Sequence, residues 1–95
     1  MLLAIDVGNT NTVLGLFDGE ELTASWRIKT DARTTADESI LTFRGLLVGT
    51  PITGIALCST VPAVLREKRL MLDRYFADIP RVIVEPGTKI GRAHV

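Results

Sequence analysis

The chain has 95 residues, enough for one small domain or for part of a larger one, and 46% of them are hydrophobic, so a core can form. Lys plus Arg and Asp plus Glu both number 11, and this zero formal charge gives no basic excess for nucleic acid or an anionic membrane. Cys58 is the single cysteine, which excludes an internal disulfide; its apolar neighbours Ile55, Ala56 and Leu57 predict a buried, reduced thiol in a cytoplasmic protein. The apolar start is broken by Asp6 and is too short for a signal-peptide core, and no stretch approaches the roughly 18 apolar residues of a membrane span.

Leu2–Val7 is a short apolar run ended by Gly8-Asn9 and predicts a buried strand. Thr12–Phe17 predicts a second, closed by Asp18-Gly19, a dipeptide whose tolerance of positive φ favours a hairpin. Leu22, Ala24, Trp26 and Ile28 then alternate with Thr23, Ser25 and Arg27, predicting a third strand with one buried face. These three make an antiparallel meander.

The period changes at Thr35-Ala36-Asp37-Glu38, which fits a capping box, and Ala36, Ile40, Phe43 and Leu47 follow at helical spacing until Gly49 and Pro51. Gly54–Ser59 is apolar throughout and predicts a strand covered on both sides. Pro62 suits the first turn of a second helix, with Leu65, Leu72 and Phe76 inward and Arg66, Lys68, Arg69 and Arg74 on the solvated face. Pro80 ends it, and Arg81–Glu85 predicts a last short strand. The order β-β-β-α-β-α-β implies an α/β fold with a mixed sheet and helices packed on it.

Chemistry concentrates in Asp6-Val7-Gly8-Asn9-Thr10-Asn11-Thr12-Val13. Gly8 lets a ligand approach the backbone, and turn amides from Gly8 to Asn11 can donate into one concavity to phosphate oxygens. Asn9, Thr10 and Asn11 add side-chain donors. A carboxylate beside phosphates makes sense if Asp6 holds a magnesium ion, directly or through water. Gly-Asn-Thr-Asn is equally a good hairpin turn with Asp6 as its cap, so local chemistry leaves both readings open. The segment is neither a Walker-type loop, lacking Gly-Lys-Ser/Thr, nor a dinucleotide fingerprint, because a strand and not a helix follows Gly8.

The opening Leu2-Leu3-Ala4-Ile5-Asp6-Val7-Gly8-Asn9-Thr10-Asn11-Thr12 resembles the first phosphate motif of the actin/hexokinase/Hsp70-like ATPases, and its Asn-Thr-Asn form resembles type III pantothenate kinases. Trp26-Arg27-Ile28-Lys29-Thr30, Thr35-Ala36-Asp37-Glu38, Ser59-Thr60-Val61-Pro62 and Pro86-Gly87-Thr88-Lys89 resemble further motifs of that family, in order. The resemblance implies a ribonuclease H-like sheet forming the first domain of an actin-like ATPase fold. It implies transfer of the ATP γ-phosphoryl group to pantothenate, the first step of coenzyme A synthesis, by a homodimer using Mg2+ and a monovalent cation, K+ or NH4+. Asp6 would organise metal and phosphates, and Val7, Gly8, Asn9, Thr10, Asn11, Thr12 and Val13 would complete the phosphate loop.

The family's Gly-Ala-Asp-Arg segment, which supplies its proposed base, does not occur, so no catalytic residue is expected in this chain. The monovalent-cation site is likewise expected elsewhere. Residues 1–89 are therefore expected to be an incomplete phosphate-binding domain, inactive alone and marginally folded. Residues 90–95 depart from the family and correspond to one reading frame of a common sequencing adapter; they are expected to be a non-native tail in which Arg92 and His94 do nothing. Two alternatives share the fold: an accessory transcriptional regulator, which the lack of a basic patch disfavours, and a phosphotransferase with another acceptor.

Overall fold

A computed structural model describes residues 1–85. The expected motif at Pro86–Lys89 and the expected tail at 90–95 lie outside the described residues. Five strands and two helices follow in the predicted order: β1 (Leu2–Val7), β2 (Asn11–Asp18), β3 (Glu21–Lys29), α1 (Ala36–Leu46), β4 (Gly54–Ser59), α2 (Pro62–Tyr75) and β5 (Arg81–Val84). The strands form one mixed sheet in the order β3-β2-β1-β4-β5. β1–β2 and β2–β3 are antiparallel, whereas β1–β4 and β4–β5 are parallel. This is the ribonuclease H-like arrangement expected.

Both helices lie on one face of the sheet and pack against each other. Leu3, Ile5 and Val7 of β1, Leu14 and Leu16 of β2, and Ile55 and Leu57 of β4 bury that face. Ile40 and Phe43 of α1, with Leu47 just beyond it, and Val64, Leu65, Met71 and Leu72 of α2 close over it. The capping box forms as predicted: the Glu38 amide donates to Thr35 Oγ1 at 3.2 Å, and the Thr35 amide donates to Glu38 Oε1 at 2.9 Å.

Four expectations are corrected. β4 is covered on one side only: Ile55, Leu57 and Ser59 are buried, but Ala56 is half-buried and Cys58 exposed, since both crossover helices take the same face. The thiol is therefore not a core group. Lys68 is not solvated; at 6% exposure it stands one turn from Val64 and Leu65 on the inner stripe of α2. Leu22 does not share the buried face of Trp26, because a bulge between Leu16 and Phe17 pairs Phe17 with Leu22 and moves Leu22 to the other side, 53% exposed. Finally, Asp18 pairs with Glu21 in the ladder, so the turn is centred on Gly19-Glu20 and Gly19 alone takes positive φ, at 63°. Glycine at the first central position is the type II′ pattern.

Candidate functional site: the loop after the first strand

β1 stands where the sheet changes from antiparallel to parallel pairing. In sheets with parallel strands, ligands collect beyond the carboxyl ends at such a switch point. Here that end gathers the Gly8–Thr10 loop, the end of β4 at Ser59 and the start of α2 at Pro62. Ser59 is buried and turns the chain: its hydroxyl accepts from the Val61 amide at 3.0 Å and donates to the Val61 carbonyl at 3.2 Å. The α2 N-terminus has no side-chain cap and no acidic residue in its first turn, so its positive dipole end is unneutralised on that side.

The loop is tight. The Gly8 amide donates to the Asn11 carbonyl at 2.9 Å, which uses the amide expected to be open to a ligand. A Cβ at position 8 would meet that carbonyl at 3.2 Å, closer than such contacts usually come. A side chain there would have to displace the carbonyl that holds the turn by a few tenths of an ångström, so the turn favours glycine. Among the described residues the Asn9 and Thr10 amides have no acceptor within the chain, and both side chains are exposed with Asn11. Asn11 Nδ2 donates to Thr10 Oγ1 at 3.2 Å.

The eight residues of the motif divide by face. Val7 and Thr12 point into the helix-covered core, at 1% and 2% exposure. Asp6 and Val13, Cα partners across β1–β2, point to the open face, where Cys58 of β4 is also in register with Asp6. Asp6 is exposed and makes no hydrogen bond or ion pair with the described residues. An exposed carboxylate with both oxygens open, beside turn amides, is the donor set that suits a magnesium ion shared with phosphate oxygens and water. Asn9, Thr10 and Asn11 form the tip, and Gly8 its hinge.

Sequence reasoning had not assigned Thr30 a task. Its amide donates to the Thr10 carbonyl at 2.9 Å, and its hydroxyl lies 2.8 Å from that of buried Thr12. The end of β3 thus holds the base of the loop by two bonds. The run Trp26–Thr30 carried the signal, but only as part of a motif.

A search against family models matches residues 2–93 to type III pantothenate kinase. The chain belongs to the type III pantothenate kinase family. It is 64% identical over 93 residues to the type III pantothenate kinase of Salinispora arenicola, with 96% of this chain and 37% of the relative aligned. It is 64% identical over 91 residues to that of Frankia alni, and 54% over 100 residues to that of Streptomyces coelicolor, again with 96% of this chain covered. The chain spans a little over a third of these relatives, 36% and 38% for the latter two. Among solved structures, RuvC of Thermus thermophilus superposes with a TM-score of 0.55 at 21% identity, covering 90% of this chain and 61% of that one. That likeness concerns the fold, and it agrees with the sheet order of this pantothenate kinase family member. No helix among the described residues is long and apolar enough to cross a membrane.

Proposed function

We propose that this chain is the ATP-phosphate-binding part of an enzyme that phosphorylates pantothenate, and that residues 1–89 contribute the first phosphate loop of its active site. The observation that carries the reading is the pairing of an unpartnered, exposed Asp6 with the open amides of Asn9 and Thr10 at the switch point of the sheet. Catalysis of phosphoryl transfer rests on positioning and charge stabilisation, and this loop is suited to both. Asn9 and Thr10 amides would donate to the phosphate oxygens, Gly8 would keep the turn tight, and the side chains of Asn9, Thr10 and Asn11 would line the oxygens' approach. Val7 and Thr12 anchor the loop in the core, so they act on its shape without touching a ligand, and Val13 flanks Asp6 on the open face. Magnesium, when bound at Asp6, would neutralise phosphate charge there.

No catalytic base is assigned to this chain. The base, the pantothenate pocket, the monovalent-cation site and the dimer contact belong in this reading to the remainder of the family's length, in a cytoplasmic enzyme.

The test has two arms. A form carrying the family's full length should release ADP from ATP only when pantothenate is present; ADP release indifferent to pantothenate would overturn the acceptor. In the 95-residue chain, magnesium-dependent ATP binding followed by titration calorimetry should weaken on Asp6→Asn by about tenfold or more, the size of one lost charge-assisted contact. An unchanged isotherm removes Asp6 from the site.

A further inference from the structure

On the helix side of the sheet, away from the face that Asp6 occupies, a cavity of about 130 Å3 lies between β2, β3, α1 and α2. Its wall carries the hydroxyls of Thr12, Thr30, Thr34, Ser39 and Thr42 and the side chain of Lys68. Lys68 is 6% exposed and Ser39 is 4% exposed, so this ammonium is held in the interior. It donates to Ser39 Oγ at 2.9 Å. An ammonium has three N–H donors, and Ser39 takes one.

What is missing is an ion-paired counter-charge; the Glu67 carboxylate favours the ammonium only through space. Lys68 enters none of the ion pairs among the described residues. Glu67, its neighbour in sequence, is engaged by the Ala36 amide at 2.9 Å. Asp31, also on the cavity wall, is exposed, and its carboxylate already accepts from the Arg33 amide at 2.9 Å. A buried ammonium without an anion is costly, and proteins compensate such a charge by pairing it. Beside the hydroxyls, the lining holds a second cation, Lys29, and the apolar Ile28, Phe43 and Val64, so Asp31 is its one carboxylate.

We propose that this cavity is a binding site for one small inorganic oxyanion of phosphate or sulfate size, with Lys68 as its charge partner and the Thr30, Thr34, Ser39 and Thr42 hydroxyls around it. The site is separate from the nucleotide loop, because the sheet stands between the cavity and Asp6. It is nevertheless joined to the loop through Thr30, whose amide holds the Thr10 carbonyl. An anion in the cavity would bear on the same strand end that sets the loop's base.

The probe is inorganic phosphate, titrated into the 95-residue chain at ionic strength held constant with chloride and followed by NMR of the backbone amides and of Lys68 Nζ. The expected result is a saturable shift of Lys68 Nζ together with the Thr30, Thr34, Ser39 and Thr42 amides. Lys68→Met should weaken phosphate affinity at least about tenfold, which corresponds to one charge-assisted hydrogen bond. Should that variant not fold, the Lys68 Nζ signal of the unaltered chain decides alone. The proposal is overturned if the shifts are not saturable, if they are confined to Gly8–Asn11, or if folded Lys68→Met binds phosphate equally well. A parallel titration with magnesium and ATP separates the two sites. Loss of ATP binding with the cavity shifts intact would sink the nucleotide reading and leave this one standing.

Discussion

The two threonine hydroxyls at the base of the loop invite a double-mutant cycle. Thr12 Oγ1 and Thr30 Oγ1 lie 2.8 Å apart, and Thr12 is 2% exposed while Thr30 is half-buried on a cavity wall. Valine keeps the shape of threonine and removes the hydroxyl. Thr30→Val takes the hydrogen-bond partner from the Thr12 hydroxyl, the more deeply buried of the two, a loss of about 1–3 kcal/mol. Thr12→Val takes the same bond from the Thr30 hydroxyl, which is only half-buried and more open to water, so the cost falls to the lower end, about 1 kcal/mol. Replacing both removes donor and acceptor together and should be close to neutral, so the double variant should be more stable than Thr30→Val alone. Urea unfolding followed by circular dichroism would read this as shifts in midpoint at constant slope. If the single effects sum to the double effect within about 0.3 kcal/mol, the hydroxyls are not coupled and the reasoning fails. The Thr30 amide bond to Thr10 survives in every variant, so nucleotide affinity should follow the stability changes only weakly.

Other expectations are simpler. Phe43 is fully buried beneath α1, and Phe43→Ala should cost about 3–5 kcal/mol, comparable with the whole stability of a chain this short; a cooperative urea transition in that variant would contradict it. Asp37 accepts from Tyr75 Oη at 2.7 Å and from Arg74 at 3.0 Å, and these bonds, Tyr75 first, hold its carboxyl below the usual range. A lowered folded pKa means its contribution is present above the unfolded value and lost as pH falls through the folded one. Asp37→Asn should therefore flatten the acid limb of the urea midpoint against pH, and an unaltered limb would refute the pairing. Cys58 is exposed and in register with Asp6 on the adjacent strand, about 4.8 Å away in backbone spacing. Magnesium and ATP should slow its modification by a thiol reagent, and an unchanged rate would place the nucleotide elsewhere.

Much of the fold was legible because the signals were local. The capping box, the Pro62 helix start and the alternation of Ala24, Trp26 and Ile28 each depend on a few neighbouring residues. The misreadings arose where a distant element decides the outcome. An apolar run such as Gly54–Ser59 has the same pattern whether one or two layers cover it, so the exposure of Cys58 follows only from both helices choosing one face. Leu22 kept the alternation in sequence, but the bulge broke it in space. Lys68 was read by its charge, although its spacing from Val64 and Leu65 had already set it on the inner stripe. In the loop, glycine and the polar residues pointed to the turn, but its hydrogen bond from Gly8 to Asn11 and the hold of Thr30 needed the paired strands.

The mixed sheet also sets an order of assembly. β1, β2 and β3 are consecutive and join through turns of a few residues, whereas the parallel partner of Leu2 is Gly54, far along the chain. Short closures cost less chain entropy and form sooner than long ones. The meander that encloses Gly8–Thr10 is therefore the part able to pair before the crossovers arrive, and β4 and β5 dock onto a template already present. Pulse-labelled hydrogen exchange would see that sequence as early protection across β1–β2–β3. The loop would take its shape at the start of folding, with the helices arriving later to fix it.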